Sequence, residues 1–383
     1  MNNLLTLLKS LNEKNEKDIN KMIDENIICL DYLYDVVMNS NDDKLIYNVA
    51  LYINNMSISK LEDALIKIGN PKVIYDFAYS VKGANIPKLE DAIIDSGNGH
   101  VIYNFAKNIK NANINKLENA ITNLKDNSLI TSFASLENAN ILKLENAIIE
   151  SNDPFAICSF ANAKNANIKR LEDAVVKIND APGIYTFAHK VPSCNINRLQ
   201  NAIIKTTNAF YIYLFAKNIK GVNTKILQDA LIKLNDSNVL VLFARDIKDA
   251  DILLIQDRII KSNNIEAIYT FARDIKDADI PLLEDIIVNF GDLKYIYLFA
   301  CNVKKANVSR LQDIIINTND LEYIKKFKKE VISSSISEDF IESKINEEHQ
   351  EKKIMNKLLT DIQLGNYKNI QANRDIYIKL LKK

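Results

Sequence analysis

The ten residues FARDIKDADI occupy positions 243–252 and return unchanged at 271–280, with starts 28 residues apart. A segment respelled at a fixed distance is a structural unit used twice, and its Phe-Ala pair supplies a frame for the whole chain. Phe77, Phe105, Phe133, Phe160, Phe187, Phe215, Phe243, Phe271 and Phe299 are each followed by Ala, at intervals of 27 or 28 residues. Val49-Ala50 extends the series backwards, and Phe327 begins a worn last copy. A second landmark, Leu then Glu/Gln then Asp/Asn, keeps step from Leu61 to Leu311, with Ile255 standing in once. Ten repeats therefore fill residues 42–319.

Each repeat reads as two helices. In 98–125, NGHVIYNFAKNIKNANINKLENAITNLK, the residues Val101, Ile102, Phe105, Ala106 and Ile109 share one helical face. Ile114, Leu117, Ala120 and Ile121 share another. Short polar side chains stand where caps belong: Asn70, Asn98 or Asp126 before the first helix (A), and Ser57, Asn85 or Asn113 before the second (B). Such side chains accept from the free amides of a helix's first turn. Pro71, Pro87, Pro154, Pro182 and Pro281 fall just after these caps, where a missing N–H does no harm. Strands are incompatible with this pattern.

A lone pair of short helices cannot bury its apolar face, so neighbours must stack. The expected fold is all-α: a right-handed α-solenoid, or superhelix, of about ten two-helix repeats. Residues 1–41 would form N-terminal capping helices, and 320–383 a C-terminal helical cap or tail. Tandem helix pairs on short turns resemble the HEAT- and armadillo-like α-solenoids, and the likeness is one of architecture. Their motifs are not matched, so no functional residue carries over. Repeats 126–152 and 153–179 each lose one residue after Phe-Ala, and the shortened A–B connection should change the local stacking.

Charge and composition narrow the function. Lys plus Arg equals Asp plus Glu at 49 each, so no overall field draws nucleic acid or an anionic membrane. Cys29, Cys158, Cys194 and Cys301 are scattered without C-x-x-C spacing, which points to a reducing compartment. No basic-then-apolar leader and no long apolar run is present, so the expected location is cytoplasmic, with no membrane. The three histidines, His100, His189 and His349, form no metal motif, and phosphate-cradling glycine loops are absent. The expectation is no catalytic residue, no metal and no cofactor. His189 with Cys194, and Cys158 one repeat away, is the one pair worth testing as base and nucleophile.

Two sets of positions stand out. The residue after each landmark lies close to the apolar arc of helix B: Glu62, Glu90, Glu118, Glu145, Glu172, Gln200, Gln228, Gln256, Glu284 and Gln312. Glu and Gln share a carbonyl-type oxygen, which suggests a structural ladder accepting from an amide or Tyr hydroxyl next door; the alternative is an acidic groove. The residue before each landmark faces outward on helix B; it is basic from Lys60 to Arg198 and then turns apolar as Ile226, Leu254 and Leu282. With Leu253, Ile286 and Ile314 these predict an apolar docking strip, covered by the tail or by a partner. The functional expectation is a non-enzymatic protein–protein interaction scaffold, with homo-oligomerisation open. The alternative is a nucleic-acid-binding HEAT-like solenoid, possibly a DNA-glycosylase-like enzyme. Columns of Tyr and Lys on helix A would serve it, but the absence of Trp and of net positive charge tells against it.

Overall fold

Capping decides where each helix starts. The computed structural model describes residues 2–13, 19, 21–22, 30–54, 56–331 and 337–381. Asn70, Asn98 and Asp236 open A helices with side chains accepting from Lys72, Val101 and Val239 amides. Asn85, Asn113 and Asp251 do the same for B helices, toward Lys88, Lys116 and Leu254. Ser57 occupies its cap position but makes no side-chain cap hydrogen bond. Several B helices end on a residue in the left-handed region, among them Gly69, Asn179, Asn235 and Gly291, which tolerate positive φ. The result is a tandem series of helices, packed on their neighbours within each of two units, with no strand among the described residues.

The chain divides into two compact units, Met1–Thr206 and Thr207–Lys383. In the first, A helices such as Pro71–Ser80 and Gly99–Asn108 alternate with B helices such as Ile86–Asp95 and Ile114–Leu124. Phe77, Phe105, Phe133, Phe160 and Phe187 are among its fully buried side chains, as are the landmark leucines. In the second, Phe215, Phe243, Phe271, Phe299 and Phe327 are likewise fully buried. Burying a side chain of this size contributes roughly 2–3 kcal/mol before cavity effects.

The two shortened repeats carry A helices of only 7 residues, Asn127–Phe133 and Pro154–Phe160, where others have 10. Each helix stops at its Phe, and the connection leaves through Asn138 or Asn165 in the left-handed region. Neighbouring A helices come close here: a Cβ on Gly183 would lie 2.4 Å from Pro154 Cβ. The second unit ends in the helices Glu338–Gln363, Tyr367–Ala372 and Arg374–Leu381. Glu338–Gln363 packs on Leu321–Glu330, with Ile341 and Ile345 against Lys325, Lys328 and Lys329.

Candidate functional site

The residue after each landmark Leu is buried, between 1% exposed at Glu62 and 7% at Gln312. In eight of the ten its oxygen accepts from a backbone amide of the next repeat. In the first unit, Glu62 Oε1 accepts from the Asn85 amide at 2.6 Å, and Glu90 Oε2 from Asn113 at 2.7 Å. Glu118 accepts from Asn140 at 2.7 Å, Glu145 from Asn167 at 2.8 Å and Glu172 from Asn195 at 2.7 Å. In the second, Gln228 accepts from Asp251 and Gln256 from Asp279, both at 2.8 Å, and Glu284 from Asn307 at 2.7 Å. Each donor is the N-cap residue of the following B helix. These side chains are rungs joining B helix to B helix. An acidic groove would need them open to solvent, and they are not.

The second carboxylate oxygen of most Glu rungs faces a base. Lys143 Nζ lies 3.2 Å from Glu118 Oε1, Arg170 Nη1 2.5 Å from Glu145, and Arg198 Nη1 3.2 Å from Glu172. Arg310 stands 3.2 Å from Glu284 and Lys88 3.9 Å from Glu62, while Lys116 turns to the adjacent Asp91. The basic residues before the landmark therefore do not simply face outward, as their helical position suggested. Lys143, Arg170, Arg198 and Arg310 lie back across the preceding repeat, partly exposed, and pair with its rung. The shallow cleft lined by Glu172, Asp173, Asn195 and Arg198 is this pairing itself.

Of the proposed apolar strip, Leu253 is 69% exposed, Ile226 44%, and Leu254 and Leu282 42% each. They sit on the consecutive helices Thr224–Leu234, Ile252–Lys261 and Ile280–Phe290. Ile286 and Ile314 are half-buried, so they belong to the packing beside the strip rather than to its open face. Arg258, one turn beyond Leu254, has a buried Nε with no hydrogen-bond partner. The tail helix packs at Leu321–Glu330, and these leucines keep their exposure.

Helix A carries cross-repeat links that the sequence reading missed. Asn108 Nδ2 donates to Tyr75 Oη at 2.9 Å, and Asn302 Nδ2 to Tyr269 Oη at 3.0 Å. Tyr213 donates instead to Asp246, and Tyr297 to Glu330. Asp246 also receives Lys217 Nζ at 2.7 Å and Arg245 Nε at 2.9 Å. Arg245's hydrogen bond, with those of Lys217 and Tyr213, holds the Asp246 carboxyl well below the usual carboxylate range against the opposing effect of burial. The signal available was a Tyr on one helix A and a polar residue 33 positions later.

The His189–Cys194 pair does not form a nucleophile and its base. Cys194 Sγ contacts the Ala188 carbonyl, and His189 stacks on Tyr185. Burial, with help from Glu172, pushes the Cys194 thiol up to about 11, and burial also raises Cys158. An activated cysteine needs the opposite shift. Cys158, Cys194 and Cys301 are free thiols; Cys29 lies outside the described residues. Among the described residues no His/Cys/Asp/Glu group is arranged to hold a metal, and no helix is long and apolar enough to cross a membrane. No protein-family model matches the chain, and no curated protein matches its sequence.

Proposed function

We propose that this chain is a cytoplasmic, non-enzymatic scaffold that binds another protein, built as a right-handed solenoid of about ten repeats in the HEAT and armadillo style. The observation that carries this reading is the column of Ile226, Leu253, Leu254 and Leu282, exposed on three consecutive B helices. Large apolar side chains gathered on one face mark interaction sites. A nucleic-acid surface needs free cations, whereas Lys143, Arg170, Arg198 and Arg310 are engaged with rung carboxylates.

The test is a photo-cross-linker at position 253, with a control at exposed Asp95, in nuclease-treated cell extract. A discrete protein adduct at 253 is expected, absent from the control and lost when Leu254→Lys and Leu282→Lys are added to a chain still helical by circular dichroism. Adducts equal at both positions, or survival of the adduct in the double variant, would remove the column as the docking face.

A further inference from the structure

Three positions change together at eight of the nine B-to-B junctions. Every Glu rung is followed by an Asn cap and a base: Glu62 with Asn85 and Lys88, Glu118 with Asn140 and Lys143, Glu284 with Asn307 and Arg310. The same holds for Glu90, Glu145 and Glu172. Gln228 and Gln256 are followed instead by acidic caps, Asp251 and Asp279, and by Leu254 and Leu282. Gln200 keeps Asn223 but is followed by Ile226 rather than a base. No Glu rung before Gln312 is followed by an acidic cap or an apolar residue.

We infer that these three positions form a recognition code, ionic or neutral, that sets which repeat can stack on which. The chemistry is asymmetric. A Glu rung placed on a neutral-class repeat buries a carboxylate with no countercharge, within reach of the cap's own carboxylate. A Gln rung placed on an ionic-class repeat still accepts its amide, and the half-exposed base stays hydrated. The rung's need for one oxygen is met in both classes by the same backbone amide, at 2.6–2.8 Å. What differs is only the remaining charge and what must answer it.

Such a code has a use in this chain. Segments as alike as 243–252 and 271–280 are interchangeable locally, and misassembly between similar units is the characteristic failure of repeat proteins. At the boundaries between classes the code penalises the slipped pairing. It also accounts for the apolar column: a neutral rung releases the position before the landmark from carrying a base. This inference stands independently of the scaffold reading.

The experiment converts one junction in the full-length chain. Gln228→Glu alone is compared with the triple variant Gln228→Glu, Asp251→Asn, Leu254→Lys. The readouts are the thermal midpoint and hydrogen exchange at the position-251 amide. The single change should lower the midpoint by roughly 5 °C or more and speed that exchange at least about tenfold. The triple variant should recover both. In the other direction, Arg170→Leu should be damaging and adding Glu145→Gln should restore stability. A tolerated Gln228→Glu, or a triple variant no better than the single, overturns the code. If the single variant fails to fold, folding of the triple decides the matter by itself.

Discussion

Glu118 offers the cleanest measure of what one rung contributes. Its side chain is buried, its Oε2 takes the Asn140 amide at 2.7 Å, and its Oε1 lies 3.2 Å from Lys143. Replacing it with Leu removes the acceptor and leaves a part-buried amide at a helix start unpaired, which costs about 1–3 kcal/mol. Lys143, about a third exposed, rehydrates, and loss of that pair adds at most about 1 kcal/mol. Apolar gain offsets little, because the methylenes of Glu118 are already buried. In a unit of this size roughly 2–4 °C of midpoint accompanies each kcal/mol, so the midpoint of Glu118→Leu should fall by about 2–16 °C. Glu118→Gln keeps the oxygen and should stay within about 1 kcal/mol of wild type. Urea denaturation followed by circular dichroism, with exchange at the Asn140 amide, reads both. A Leu variant as stable as wild type, or a Gln variant as damaged as the Leu one, would refute the rung as an amide acceptor.

Asp246 makes part of the stability pH-dependent. Its folded carboxyl titrates below the unfolded value of about 3.9, so its contribution is complete above that pH and is lost as pH falls toward the folded value. Asp246→Asn should therefore lower the urea midpoint by a constant amount between about pH 5 and 8, and that difference should shrink below about pH 4; a difference that widens on acidification would contradict it. The raised thiols should be sluggish: at pH 8, iodoacetamide labelling of buried Cys158 and half-buried Cys194, followed by mass spectrometry, should run at least about tenfold slower than in urea. Equal rates would mean that the fold does not raise these thiols.

Much of this was legible because it is periodic. The Phe-Ala and Leu-Glu landmarks carry the helix pairs, and the side chain beside a landmark Leu is forced close to the apolar arc, which is why the rungs could be named. Their partner was left between an amide and a Tyr hydroxyl next door, and residue type could not single out the backbone amide of the next cap residue. The role of Lys143 or Arg170 was read as outward-facing because a helical wheel describes one helix, and these bases reach back to the preceding one. The same limit hid the links from Tyr75 to Asn108 and from Tyr213 to Asp246. Asn165, Asn179 and Asn235 adopt positive φ, so the abundant asparagine serves turns as well as caps. Ser57 shows that cap position and cap hydrogen bond are separate facts.

Deleting one full period, residues 251–278, tests most directly whether the chain is a stack of interchangeable units. The cut joins Ala250 to Asp279 and sets Gln228 against Asp279 and Leu282, a junction of the same neutral class. The shortened chain should keep its helical ellipticity per residue and melt cooperatively, whereas deletion of half a period, 251–264, should not. If the full-period deletion loses its helicity as the half-period one does, the repeats are not modular units and the rungs do not hold them together.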